Sequence, residues 1–339
     1  MKMSRNFGID FFKSILMLLI IVHHLLLRAP VSLRLLETNQ FNTSYVFFAF
    51  INCFLIIAVN CFFLISGYFG INRKPKKIIK LIISVYFIYG FINILFLFLG
   101  YQSFNLDFVK GFCFPISKYW FIFVYLLLSL ISPYLDLLLK NMNQNIQKEL
   151  LFIFFIVLCI YCFFIDNEVV GANRGYSLIM AIFLYISGNY LKKRNINMNS
   201  FFLICSYIFL TIINGVIVMF SLMMNKQTFV WKLYSYNNPI VYLASIFIFL
   251  FFLNLEIKNI KIKNIIKKFS KLGKYSLYVY IVHSTPIFAN FYMNLFSSYS
   301  NGRIDSILLK ILFFALILYL IGICIGIILE KFFFLWKAR

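Results

Sequence analysis

The sequence has few charged residues for its length. Of its 339 residues, 12% are charged and only 10 are acidic, whereas 63% are apolar. A typical soluble domain is about a quarter charged and about half apolar. Because a soluble core could not hide 45 Phe and 22 Tyr beside so few charges, the composition excludes an ordinary soluble protein. It indicates an integral membrane protein instead.

The apolar runs also lack the alternation of apolar and polar residues that is typical of β-barrel strands. Continuous apolar runs of about 20 residues predict membrane-spanning helices. About ten spans follow, at 9–27, 45–70, 77–100, 119–139, 150–166, 176–191, 200–222, 240–256, 275–296 and 306–330. No internal repeat is visible and no loop is long enough for a soluble domain. Residues 1–339 are therefore predicted to form one all-α domain, a polytopic membrane helical bundle.

Basic residues are numerous but unevenly placed. The N-terminus, the even-numbered loops and the C-terminus carry 22 of the 32 Lys and Arg residues, and the odd-numbered loops carry eight. Since basic loops stay in the cytoplasm, both termini are predicted to be cytoplasmic, as in a multi-pass protein of the bacterial inner membrane. The basic segments are short tethers between helices. They favour attraction to anionic membrane lipids over nucleic-acid binding.

Cysteine gives little sign of a metal or redox site. Six of the seven cysteines lie in apolar spans, where they act as small apolar side chains. Cys159 and Cys162 have CxxC spacing, but no histidine or acidic residue lies near them in the sequence. We therefore expect no metal cofactor.

Ionisable groups inside a membrane span are costly and usually functional. The first span contains Asp10, Lys13, His23 and His24. At about 100° per residue, Lys13 and His24 lie about 20° apart on the helix, and Asp10 about 40° from His24. His23 points away from this stripe. The alternative interpretation is an anchoring pair, Asp10 with Lys13, and a structural His24.

Three further clusters are candidates. Ser66 and Tyr68 end the second span, before a basic run that includes Lys77 and Lys80. The alternative is that Gly67 only allows close helix packing and that the basic residues only set the membrane topology. Trp120 lies in Tyr119-Trp120-Phe121, which equally suits an interfacial aromatic belt. His283 lies in mid-span, three residues before Pro286, which is expected to bend the helix; it is as often structural as functional.

Together the four clusters resemble the acyltransferase-3 superfamily of membrane acyltransferases, and in particular its branch from capsule and exopolysaccharide loci. The order and spacing are similar over nearly the whole chain. The matching motifs are Ile9-Asp10-x-x-Lys13 with His24, Phe62-Phe63-x-x-Ser66-Gly67-Tyr68, the pair Lys77 and Lys80, and Tyr280 to Pro286 with His283. Lys13, Lys77 and Lys80 stand where the family usually has Arg. Lysine lacks the bidentate fork of arginine, so we expect these positions to hold a donor differently.

The resemblance implies O-acyl transfer, most often of acetyl from acetyl-CoA, to a hydroxyl of a cell-surface polysaccharide or its lipid-linked precursor. It implies that His24 is the general base and that Asp10 assists from a distance. The resemblance leaves open whether the acyl group is first transferred to the histidine, as an acyl-histidine intermediate. Lys13, Lys77 and Lys80 would contact the anionic acyl-CoA, and the substrate would lie near Ser66, Tyr68, Trp120 and His283.

A membrane transporter is the main alternative, for example a flippase for a glycan-lipid or an exporter of a small organic acid. Such proteins also have about ten helices and a few buried charges. They typically show repeated halves with matching broken helices, which this sequence lacks. A receptor or structural membrane protein would not need an acid, a base and an imidazole on one helix face.

Overall fold

The computed structural model describes residues 6–28, 43–71, 74–165, 170–257, 259–299 and 304–337. Within these ranges every regular element is helical, which confirms the predicted all-α bundle. In the same ranges, 7 helices are long and apolar enough to cross a membrane. The total of about ten spans and the orientation stay predictions.

The helices follow the predicted spans closely, and we number them in chain order. They are α1 (Phe7–Arg28), α2 (Thr43–Leu55), α3 (Ala58–Phe69), α4 (Pro75–Phe98), α5 (Leu106–Cys113), α6 (Trp120–Asn141), α7 (Gln144–Phe154), α8 (Leu178–Arg194), α9 (Ser200–Met223), α10 (Gln227–Leu233), α11 (Pro239–Leu253), α12 (Ile260–Ser270), α13 (Ser276–Ser284), α14 (Pro286–Tyr299) and α15 (Ile304–Lys337). After α7 the chain continues through a wider π-helical stretch, Phe155–Tyr161.

Two predicted spans are each divided into two helices. The second span is interrupted between Leu55 and Ala58. The ninth is interrupted at Thr285, where α13 ends and Pro286 opens α14. Proline lacks the N–H that a continuous helix would need there, so the expected bend at Pro286 is confirmed. The short helices α5, α10 and α12 lie between the spans and were not predicted.

The first helix lies at the centre of the bundle. It packs against α2, α3, α11, α12, α13 and α15, and it buries Phe12, Leu16, Ile21 and Leu25 among them. In lipid, apolar surface does not by itself drive helices together, so close packing must hold them. The central position explains why a membrane helix can carry several ionisable residues without exposing them to hydrocarbon.

Two glycines allow α3 and α8 to cross in main-chain contact. A Cβ at Gly67 would lie 2.7 Å from the carbonyl carbon of Tyr185, and one at Gly188 would lie 2.8 Å from the amide nitrogen of Tyr68. Real Cβ atoms do not approach main-chain atoms this closely. Gly67 of the Ser66-Gly67 pair therefore serves helix packing. The crossing holds α3 in an orientation in which Ser66 lines an internal cavity.

We expect Gly67→Ala to destabilise the bundle, because the added methyl group must push two main chains apart. Overpacking of this kind costs roughly 1–3 kcal/mol. Gly90→Ala is the matched control, because its Cβ would meet only the ring of Phe112 at 3.4 Å and alanine is the better helix former. The midpoint of thermal unfolding in detergent should fall for Gly67→Ala and hold or rise for Gly90→Ala. Equal midpoints would show that the crossing is loose.

Candidate active site

Asp10 and Lys13 form an ion pair near the start of α1. The Lys13 Nζ lies 3.5 Å from the Asp10 Oδ1, and both side chains are partly exposed. The expected pairing one turn apart is confirmed. His24 lies fourteen residues after Asp10, a rise of about 21 Å along the helix. Asp10 therefore lies beside Lys13 rather than beside His24, and any effect on the imidazole must act at a distance, through Lys13 or through the electric field of the carboxylate.

His23 and His24 have different surroundings. His23 is buried, and its Nδ1 lies 2.6 Å from the Oδ1 of Asn52 on α2. The amide oxygen can only accept, so His23 donates from Nδ1. This bond joins α1 to α2 inside the bundle. The prediction that His23 faces away from the His24 stripe is confirmed, and its role here is structural.

His24 meets the other histidine that the sequence singled out. The His24 Nδ1 lies 3.2 Å from the Nε2 of His283 on α13, and the ring centroids lie 5.2 Å apart. His283 is fully buried. The two residues are 259 positions apart in the chain. The sequence named both of them, but it gave no sign that they form a hydrogen-bonded pair.

The hydrogen bonds of His283 determine which nitrogen of His24 carries a lone pair. The His283 Nδ1 lies 2.9 Å from the carbonyl oxygen of Val279, one turn earlier. A carbonyl only accepts, so Nδ1 is the protonated nitrogen of a neutral His283 and its Nε2 is an acceptor. The His24 Nδ1–H, at 3.2 Å, therefore donates to this Nε2, and the Ser284 hydroxyl, also at 3.2 Å, shares the same single lone pair. In neutral His24 the lone pair then lies on Nε2, as a general base requires.

The break between α13 and α14 holds His283 in place. The Tyr292 hydroxyl donates to the carbonyl of His283 over 3.0 Å, which satisfies a group left open by the end of α13. The hydroxyls of Tyr119 and Thr285 are 2.8 Å apart, and Thr285 also donates to the Ile281 carbonyl. Sequence analysis missed these three residues as supports, although Tyr119 lies within the Tyr119-Trp120-Phe121 motif and Thr285 beside Pro286.

A cavity of about 290 Å³ lies beside α1, and neither His24 nor His283 is among the residues that line it. Lys13 and Lys274 line it together with Met17, Ile20, Phe62 and Ser66. Tyr280 lines it as well, and its ring lies 5.7 Å from the ring of His283. Ile20 is one helical turn before His24. The cavity therefore has two lysines and largely apolar and aromatic walls, and the histidine pair lies behind one of those walls, next to Tyr280.

The other predicted substrate and donor residues are placed differently. Tyr68 lines a separate cavity beside the start of α1 and α12. Trp120 stacks on Tyr236, with ring centroids 5.8 Å apart. Lys80 pairs with Glu330 at 2.6 Å and Lys77 is solvent-exposed. Neither lysine lines the cavity of Lys13.

Lys274 is the cavity cation that sequence analysis missed. It belongs to the loop after the eighth predicted span, whose many lysines are explained by the orientation of the protein in the membrane. The available signal was the neighbouring Gly273, whose missing side chain lets this turn pack on the Asp10 carbonyl of α1. Its position in the lining of the Lys13 cavity distinguishes Lys274 from the other described lysines of the loop.

Comparison with known families decides the class of the protein. The model of the acyltransferase-3 family, described as an acyltransferase domain, matches residues 6–331. The chain belongs to the acyltransferase-3 family. The match includes α1 with Asp10, Lys13 and His24, and also α13 with His283. No curated protein and no solved structure gives a significant match to this acyltransferase.

We expect His24→Ala to lower acyl transfer by roughly 10²–10⁴-fold, the usual contribution of a positioned general base. His23→Ala should instead lower the stability of the acyltransferase by about 1–3 kcal/mol, because Asn52 loses its buried partner. The measurement is activity per amount of folded protein, with the unfolding midpoint recorded for each variant. Equal loss of specific activity in both variants would contradict the separate roles of the two histidines.

Proposed function

We propose that this acyltransferase moves an acetyl group from acetyl-CoA to a hydroxyl of a cell-surface polysaccharide or its lipid-linked precursor. The observation that carries the proposal is the cavity lined by Lys13, Lys274 and Tyr280, whose Tyr280 wall adjoins the His24–His283 pair. One end suits an anionic group and the other suits acid–base chemistry. Family membership supports acyl transfer in general.

The separation of Lys13 and His24 along α1 suits a long, thin donor. Lys13 and His24 are eleven residues apart on α1, a rise of about 16 Å. The phosphates of an acyl-CoA would bind the two ammonium groups, which form charge-assisted hydrogen bonds. The pantetheine arm would lie against Met17, Ile20 and Phe62. The thioester would then lie near Tyr280, next to the histidine pair.

In the proposed reaction His24 acts as the general base. Its Nε2 takes the proton of the acceptor hydroxyl while the hydroxyl oxygen attacks the thioester carbonyl carbon. The carbon–sulfur bond breaks, the acyl group stays on the acceptor oxygen, and the CoA sulfur leaves. The proton on His24 Nε2 then passes to the sulfur. Throughout, the Nδ1–H of His24 donates to His283 Nε2, which holds the ring in its orientation and stabilises the positive charge.

An aromatic cluster supports a sugar as the acceptor. The ring of Trp120 lies 4.6 Å from that of Tyr176, and the ring of Tyr176 lies 4.8 Å from that of Tyr236. Trp120 and Tyr176 are partly exposed. Through Phe121, the cluster adjoins Tyr280. Phe121 and Tyr280 also line the cavity of Lys13 and Lys274, so an acceptor held by the cluster would approach that cavity from the Tyr280 side.

The proposed function is tested by NMR of the surface polysaccharide from wild-type cells, deletion cells and cells carrying His24→Ala. O-acetyl signals should be present only in the wild type and should return on complementation. Purified protein in nanodiscs, given labelled acetyl-CoA and the lipid-linked glycan fraction of the deletion strain, should transfer label to that fraction. Unchanged polysaccharide in the deletion strain would refute the proposed acceptor.

We expect Lys274→Gln and Lys13→Gln to raise the KM for acetyl-CoA. One lost charge-assisted contact of about 1.4 kcal/mol corresponds to roughly a tenfold loss of affinity. Lys77→Gln is the matched control, because it removes an exposed lysine outside the cavity. If Lys77→Gln raises KM as much as Lys274→Gln does, the phosphates bind further out on α4, as the sequence motif predicts.

We also expect the residue at position 283 to control kcat rather than donor affinity. The side-chain oxygen of Gln in His283→Gln can still accept from the His24 Nδ1–H, so this variant should keep much of the activity. His283→Leu offers no acceptor and should lower kcat by roughly 10–100-fold, the value of a hydrogen bond to a charged group. The steady-state constants for both variants, with unfolding midpoints, test this. Equal kcat in the two variants would leave His283 a packing residue only.

A further inference from the structure

Helix α12 is the most basic helix of the structure and lies between two apolar ones. It includes Lys261, Lys263, Lys267 and Lys268, and Asn259 caps its first turn by accepting from the backbone N–H groups of residues 261 and 262. At about 100° per residue, Ile262, Ile265 and Phe269 form one apolar stripe about 60° wide. Lys261 and Lys268 lie about a quarter turn to one side of this stripe.

The apolar stripe is not covered by the rest of the described chain. Ile262 is 50% exposed, Ile265 54% and Phe269 52%. A different edge of α12 faces the protein: the Ser14 hydroxyl donates to the Phe269 carbonyl over 3.2 Å, and the Lys267 ammonium lies over the Phe7 ring. The helix is therefore fixed to α1 along one edge, with its stripe and the Lys261–Lys268 side open.

Helix α12 lies at the end of the bundle where α1 begins and α11 ends. Asn6, just before α1, donates to the carbonyl of Leu253, the last residue of α11. Helix α12 packs beside the first turns of α1 and therefore lies at the same end. An amphipathic helix at this position, with an open apolar stripe between rows of lysines, matches the physical pattern of helices that lie in the membrane interface.

We propose that α12 docks on the anionic phospholipid headgroups of that membrane leaflet. Ile262, Ile265 and Phe269 enter the boundary between headgroups and acyl chains, and Lys261 and Lys268 bind lipid phosphates, while the exposed Lys271 directly after the helix adds positive charge near the same surface. Charge complementarity selects an anionic lipid surface as the occupant, because a neutral protein or a zwitterionic surface would satisfy the stripe but not the lysines.

Docking of α12 has a consequence for the donor cavity. The helix leads directly into the turn Leu272–Tyr275, in which Gly273 packs on the Asp10 carbonyl and Lys274 lines the cavity. A docked α12 therefore holds Lys274 at the cavity mouth. This second step rests on the proposed function, whereas the docking itself does not.

The test uses the full-length protein in nanodiscs of phosphatidylcholine, with or without phosphatidylglycerol. Exposed Cys113, Cys205 and Cys324 are replaced by serine, and an environment-sensitive fluorophore is attached at Ile265→Cys. We expect a blue shift of its emission and quenching by headgroup-labelled nitroxide lipid only when phosphatidylglycerol is present. If the emission of the label indicates a water-exposed position in both kinds of nanodisc, α12 does not dock on the lipid and the proposal is wrong.

A matched pair of triple variants separates the specific lysines from overall charge. K261Q/K268Q/K271Q should lose the phosphatidylglycerol-dependent blue shift. K140Q/K148Q/K192Q removes the same charge from exposed residues of other helices and should keep it. Equal loss in both triple variants would overturn the assignment to α12.

The Kd for acetyl-CoA, measured in the same nanodiscs, tests the consequence for the donor. Phosphatidylglycerol should tighten binding to the wild type and leave K261Q/K268Q/K271Q unchanged. Docking without any effect on Kd would overturn the control of Lys274 by α12. If no acyl-CoA binds at all, the proposed donor fails, while the fluorescence result for docking is unaffected.

Discussion

The hydrogen bond from His283 Nδ1 to the Val279 carbonyl determines the proposed chemistry of this acyltransferase. It lies within one turn of one helix and depends on no mobile group. By fixing the proton of His283 on Nδ1, it makes Nε2 an acceptor, which orients His24 with its Nδ1–H toward His283. Were His283 to carry its proton on Nε2, that N–H would donate to His24 Nδ1, the proton of a neutral His24 would lie on its own Nε2, and that nitrogen could not act as the base. A main-chain carbonyl thus sets the tautomer of a residue on another helix.

The broken helix α13–α14 places that hydrogen bond where it is needed. Irregular backbone within a membrane is tolerated only where its polar groups find partners inside the protein. Here Tyr292 satisfies the His283 carbonyl, and Thr285, bonded to Tyr119, satisfies the Ile281 carbonyl. Pro286 removes one N–H that would otherwise need a partner. The break lets Ser284 turn its hydroxyl to His283 Nε2.

Much of the fold could be predicted, because lipid makes apolar length a direct signal of a spanning helix. The face argument on α1 also separated His24 from His23 correctly, since helix geometry is local. The contact between His24 and His283 could not be predicted, because residues 259 positions apart meet only through packing. The same limit explains Lys274: along the chain it is one lysine among many, and only the contact of Gly273 with α1 brings it to the cavity. Helix α12 was not predicted, because its lysines were attributed to membrane topology and they interrupt the apolar residues of its stripe in the sequence.

The arrangement of charge along the site follows from the cost of placing ions in a membrane. Full charges are tolerated at the ends of spans and are expensive near the middle. Lys13 and Lys274 accordingly line the cavity near the start of α1, with Asp10 paired to Lys13, where the phosphates of the proposed donor can stay close to water. In the proposed reaction the base, His24, is oriented by another imidazole rather than by a carboxylate, so its hydrogen-bond partner brings no negative charge into the bundle. Positive charge would form on His24 only during the reaction, and it would be lost again when the sulfur takes the proton. A lysine or carboxylate in place of His283 would make that charge permanent, and this cost explains why a second histidine suits the position.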